Sequence, residues 1–177
     1  IGDDITICET DNSVPVSIIE PVNYPVMWST SGDGTFDDPT AQTTGYVPGI
    51  LDKSNGSVIL TLTVYSDICP AVSDHLTLTI NPAPIVFAGA DASICTGEYF
   101  LTDNAFADNY ENLLWTTSGD GYFENPEQLE TVYYPGQSDY QNGSVQICLT
   151  AEPLKSCEAL ENCFTLTLLP NATAFAG

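Results

Sequence analysis

Two acidic glycine loops are the residues best placed to do chemistry in this chain. Ser31-Gly32-Asp33-Gly34 follows Trp28, and Ser118-Gly119-Asp120-Gly121 follows Trp115. Carboxylates gathered around a tight glycine turn can bind calcium, with Asp33, Asp37 and Asp38 supplying oxygen in the first loop and Asp120 and Glu124 in the second. The D-x-D-x-D-G run and distal bidentate Glu of an EF-hand are missing, so calcium is an option and no cofactor is required. The competing reading is a tight hairpin turn: glycine takes the positive-φ positions, Asp caps its own backbone, and Trp28 and Phe36 pin the two arms to the core. The order S-G-D-G is not the D-[ST]-G of aspartic proteases, whose two lobes also need a much longer chain. His75 is the single histidine, and no G-x-S-x-G, phosphate-binding glycine loop or zinc-ligand cluster occurs, so an enzyme is not expected.

The surface around these loops is strongly acidic. Of 177 residues, 24 are Asp or Glu against 2 Lys or Arg, a formal net charge of −22. Two cations cannot displace the counterions of a nucleic acid, and anionic membranes would repel the chain. Yet 43% of residues are hydrophobic and spread over the whole length, which separates the chain from disordered acidic tails. No run approaches the 18 or so apolar residues of a membrane span, so no membrane insertion is expected. Six cysteines without a C-x-x-C pair read as three disulfides in an exported protein.

Self-similarity organises the rest. Trp28-Ser-Thr-Ser-Gly-Asp-Gly-Thr-Phe36 recurs as Trp115-Thr-Thr-Ser-Gly-Asp-Gly-Tyr-Phe123, an offset of 87 residues. Cys8 matches Cys95 at that offset, as do Tyr46 and Tyr133, Pro48 and Pro135, and Asp52 and Asp139. The run Asn55-Gly56-Ser57-Val58 likewise matches Asn142-Gly143-Ser144-Val145. One inserted residue then makes the offset 88, so that Cys69 matches Cys157. The reading is two copies, residues 1–83 and 89–177, joined by a stiff prolyl linker at 84–88. Ala176-Gly177 repeats Ala88-Gly89, which suggests the start of a third copy in a longer array.

Each copy reads as strands. Val58, Leu60, Leu62 and Val64 alternate with Ile59, Thr61, Thr63 and Tyr65, Leu76, Leu78 and Ile80 share one face of a second strand, and helical periodicity is nearly absent. About seven short strands around one Trp in roughly 88 residues is the profile of an immunoglobulin-like β-sandwich. The fold class is therefore all-β: two tandem immunoglobulin-like (PKD-like) sandwiches. The economical cysteine pairing is one bridge per copy, Cys8–Cys69 and Cys95–Cys157, plus a cross-strand Cys148–Cys163 found in the second copy only. Lys53 and Lys155 stand at unmatched loop positions, which argues against an isopeptide cross-link, and the sequons at Asn55, Asn142 and Asn171 fall in turns.

The run W-[ST]-T-S-G-D-G-x-F, then Y-x-P-G, then N-G-S-V, resembles the PKD-like and immunoglobulin-like repeats of very large surface adhesins of gliding Bacteroidetes, exported by type IX secretion. The resemblance covers both copies almost end to end. It implies an extracellular stalk at the cell surface whose partners are neighbouring repeats, with lateral protein or surface glycan contacts. The alternative is a carbohydrate- or protein-binding module, for which Tyr99, Tyr110, Tyr122 and Tyr140 of the second copy are the candidate platform residues.

Overall fold

The computed structural model describes residues 1–154 and 156–172. The chain divides into two compact units, Ile1–Ala83 with Ser156 and Cys157, and Pro84–Leu154 with the residues from Glu158 onward.

The first unit has seven strands: β1 (Ile5–Cys8), β2 (Val14–Ser17), β3 (Val26–Thr30), β4 (Thr35–Phe36), β5 (Thr43–Val47), β6 (Ser57–Val64) and β7 (Val72–Asn81). They form a four-stranded sheet in the order β1-β7-β6-β3 and a three-stranded sheet in the order β2-β5-β4. Every pairing is antiparallel except β1 with β7, which run parallel from Ile5↔Leu78 to Cys8↔Asn81. Alternation does the rest, because Leu60, Leu62, Leu76, Leu78 and Ile80 turn one way along their strands and bury against Val14, Val16, Trp28 and Tyr46.

The second unit repeats this plan and adds to it. Strands β8 (Ile85–Phe87), β9 (Ala92–Cys95), β10 (Phe100–Leu101), β11 (Phe106–Asp108), β12 (Tyr110–Thr117), β13 (Tyr122–Phe123), β14 (Val132–Tyr134), β15 (Ser144–Pro153) and β16 (Leu160–Leu169) follow in order. The sheets β12-β15-β16-β9 and β10-β14-β13 reproduce those of the first unit, including a parallel β16–β9 pair, while β8 and β11 form a separate ribbon.

Residues 84–88, read from sequence as a linker, are part of this second fold. Pro84 is followed by the alternating triplet Ile85-Val86-Phe87, which pairs with Phe106–Asp108, and Val86 and Ala88 are buried in the second core. The prolines around the strand, not its composition, gave the impression of a tether.

Two helical turns were also not expected. α1 (Ile50–Asn55) and α2 (Gln137–Asn142) end at Gly56 and Gly143, whose φ values of 74° and 75° are left-handed. Asn55 and Asn142 of the sequons close these helices. Ala176-Gly177, read as the opening of another copy, lie outside the described residues, as does Lys155. Among the described residues no helix is long and apolar enough to cross a membrane.

Candidate functional site

The S-G-D-G loop is a corner between sheets rather than a hairpin. β3 lies in the four-stranded sheet and β4 in the three-stranded one, so Ser31–Gly34 carries the chain across the sandwich. What holds the corner is Asp52, in the first turn of α1 and 1% exposed. Its Oδ2 accepts the Tyr46 hydroxyl at 2.5 Å, the Gly49 N–H at 3.0 Å and the Gly34 N–H at 3.1 Å, and its Oδ1 accepts the Asp33 N–H at 3.2 Å. Asp33 answers in reverse: its carboxylate accepts the N–H groups of Leu51 and Asp52 at the start of α1. Loop and helix thus cap each other through two carboxylates.

The glycines belong to this arrangement by absence of bulk. A Cβ on Gly32 would overlap Asp52 Oδ1, and one on Gly34 would overlap the Tyr46 hydroxyl. Trp28 lies beneath, its Nε1–H donating to the Ala41 carbonyl at 3.0 Å and its ring 5.8 Å from Phe36. Burial, reinforced by the Asp52 hydrogen bond, pushes the Tyr46 phenol up to about 12, so it stays protonated and donates. The Leu51 N–H holds Asp33 below the usual carboxylate range.

The second copy repeats the latch around Asp139 and Asp120. Tyr133 donates to Asp139 Oδ2 at 2.6 Å, Gly136 N–H to the same oxygen at 2.9 Å, and Asp120 N–H to Oδ1 at 3.3 Å. Ser138 N–H donates to Asp120, whose carboxyl is held low by that bond first of all. Gly119 and Gly121 lack room for a Cβ against Asp139 and Tyr133, and Trp115 stacks 5.7 Å from Phe123. Asp52 and Asp139 matched in the sequence, yet their role was missed because they lie about 19 residues beyond the loops they hold.

The calcium candidates do not gather. Asp33 and Asp120 face the helix N–H groups, Asp37 lies over Gly45, Asp38 takes the Thr40 N–H and hydroxyl at 2.8 and 2.7 Å, and Glu124 is exposed. Among the described residues, the metal-capable side chains that converge within 4.8 Å are Cys148, Glu161 and Cys163, and the two cysteines are bonded to each other.

The cysteines pair differently from the sequence reading. Cys148 and Cys163 are opposite one another in the β15–β16 register and are bridged. Cys8, however, is bonded to Cys157, while Cys69 and Cys95 are free and exposed. The parallel β1–β7 pair is the reason. Cys8 lies beside Asn81 at the end of β7, whereas Cys69 lies in the turn before β7 begins. The ten residues of β7 separate them by about 30 Å, far beyond disulfide reach. Parallel β9 and β16 separate Cys95 from the turn that carries Cys157 in the same way. His75 is exposed on β7 opposite Thr61.

Three tyrosines do come together. Tyr122 and Tyr134 are paired across β13 and β14 with rings stacked 5.1 Å apart, and Tyr99 lies 6.1 Å from Tyr134. Tyr99 and Tyr122 are 61% and 63% exposed, enough to present their faces to a ligand. Tyr134 was missed in the sequence because its neighbour Tyr133 carries the repeat match. Tyr110 lies apart on β12, and Tyr140 packs on the core with its hydroxyl accepting the Gly97 N–H. The first copy has Asn12, Thr35 and Val47 at the three places.

No protein-family model and no curated protein matches the chain. Among solved structures it is similar to immunoglobulin domains 1–4 of Sidekick-1, at TM-score 0.52 and 12% identity over 94% of this chain and 47% of that one. It is also similar to the insect immune protein hemolin, at TM-score 0.53 and 11% identity over 97% of this chain and 46% of that one. The chain spans about half the length of either. At such identity the likeness shows the fold: tandem immunoglobulin-like β-sandwiches.

Proposed function

We propose that the chain is a non-enzymatic stalk segment of a large, repetitive, exported adhesin or filament at the cell surface. The observation that carries this reading is the duplicated latch. In both copies the S-G-D-G aspartate and its glycines are committed to holding the sandwich corner, which leaves an array of stable modules as the product of the sequence. Two disulfides support folding in an oxidising, extracellular compartment. The resemblance of the loop and turn motifs to gliding-adhesin repeats extends the reading to type IX export and gliding motility. Its partners would be further repeats of the same kind and lateral protein or glycan contacts. Small-angle scattering on chains of two, three and four copies tests it: the maximum dimension should grow by a constant increment per copy. A particle that grows compactly overturns the stalk.

The tyrosine trio favours a second reading, a carbohydrate-binding face confined to the second copy, because stacked exposed rings match the apolar faces of sugar rings. Titration with a panel of β-linked oligosaccharides should then show binding that Tyr122→Ala weakens at least tenfold. Equal binding by the variant removes the face from consideration.

A further inference from the structure

We propose that Cys95 and Cys69 are the open ends of a disulfide series, in which the first-strand cysteine of each copy is bonded to the turn cysteine of the following copy. The bond already present has that form. Cys8 ends the first strand of copy one, and Cys157 is the second copy's counterpart of Cys69. Ser156 and Cys157 come from the second copy in sequence and belong to the first unit in space. The first unit is thus completed by a cysteine borrowed from the next copy.

The two free thiols are the positions where this rule has no partner within the chain. Cys95 occupies the same backbone frame as Cys8. The Cys8 N–H is accepted by the Asp11 carboxylate at 3.0 Å, and the Asp11 N–H returns to the Cys8 carbonyl at 3.0 Å. Glu98 makes the same pair of bonds with Cys95, at 3.2 and 3.1 Å. The frame is therefore built in both copies, but Cys8 is bonded and 3% exposed, whereas Cys95 is free and exposed. Cys69 is exposed in the β6–β7 turn, next to Ile68, itself 93% exposed. The two thiols cannot satisfy the rule inside one copy, because Cys69 and Cys8, like Cys157 and Cys95, lie at opposite ends of a strand of ten residues.

The missing partner is a further copy of this repeat, and a second molecule of this chain can supply it, joining Cys95 of one to Cys69 of the other. The oxidant is a small-molecule disulfide such as oxidised glutathione. The Cys69 thiolate attacks one of its sulfurs, giving a mixed disulfide and releasing one glutathione thiolate. The Cys95 thiolate then attacks the protein sulfur, forming the Cys69–Cys95 bond and releasing the second. Two protein thiols lose two protons and two electrons, and one disulfide is reduced to two thiols.

The proposal rests on the array reading and supplies its covalent joint. Its test uses the whole chain, as wild type, Cys69→Ser and Cys95→Ser, incubated with a glutathione redox buffer in physiological salt. Non-reducing electrophoresis and peptide mapping follow, with the Cys8–Cys157 peptide confirming the fold. Wild type should form a ladder joined by Cys69–Cys95 peptides. Either variant alone should stay monomeric, while the two mixed should give dimer at least tenfold above either alone. Self-coupling of one variant at the rate of the mixture, a Cys69–Cys95 bond closed within one molecule, or no coupling overturns the series. Absent coupling with constant scattering increments would sink the joint and leave the stalk, and coupling with compact growth would do the reverse.

Discussion

Asp52→Ala is expected to destabilise the first unit by about 4 kcal/mol, because it strips the acceptor from three backbone N–H groups and the Tyr46 hydroxyl at a site water barely reaches. An unsatisfied buried donor costs roughly 1–3 kcal/mol, and partial hydration as α1 loosens would bring the sum down to that figure. Asp52→Asn keeps one oxygen and should lose only about 1–2 kcal/mol, since the amide oxygen can take the place of Oδ2 and leave the Asp33 N–H alone unmatched. Hydrogen exchange read by mass spectrometry separates the units. Peptides from β6 and β7 should lose protection in Asp52→Ala while those from β15 and β16 keep it, and Asp139→Ala should show the opposite pattern. If both alanine variants exchange like the wild type, the latch does not hold the corner.

Gly32→Ala is expected to cost about 3 kcal/mol although it adds a single methyl group to an exposed residue. The new Cβ would overlap Asp52 Oδ1 and meet Val58 Cγ2 at 3.0 Å, so the carboxylate must leave the Asp33 N–H to make room. Backbone strain is not the cause, since Gly32 is not among the positive-φ glycines. Gly2→Ala, where nothing lies within 4 Å, is the matched control and should leave the midpoint unchanged. Chemical denaturation followed by tryptophan fluorescence measures both, and an unshifted midpoint for Gly32→Ala would mean that the loop relaxes without strain.

Much of this fold was legible because its signals are local or repeated. Alternation at Val58–Val64 and Leu76–Ile80 marked the two longest strands of the first copy, and the shared W…S-G-D-G-x-F run set the two copies in register. The Cys148–Cys163 bridge could be read because both residues face away from the core on neighbouring strands. The misses each depended on pairing between distant segments. α1 is six residues long and owes its start to Asp52 and Asp33 rather than to any helical period. Ile85–Phe87 became a strand because Phe106–Asp108 pairs with it. The partner of Cys8 followed from the direction of β1 against β7, and alternation within a strand says nothing of direction. At the tyrosine face, three rings converge because β13 and β14 adjoin, which spacing along the chain did not announce.

The parallel β1–β7 pair has a mechanical meaning. A pull applied to the beginning of β1 and the end of β7 runs along both strands in opposite senses, so it slides one strand past the other and loads the row of hydrogen bonds from Ile5 to Cys8 together. Tension cannot peel this ladder open one bond at a time, as it would an antiparallel hairpin grasped at its two ends. The β9–β16 pair meets the same geometry in the second unit, from Ala92 to Cys95. Each sandwich therefore resists stretching along its parallel pair, which gives way only when the whole clasp ruptures.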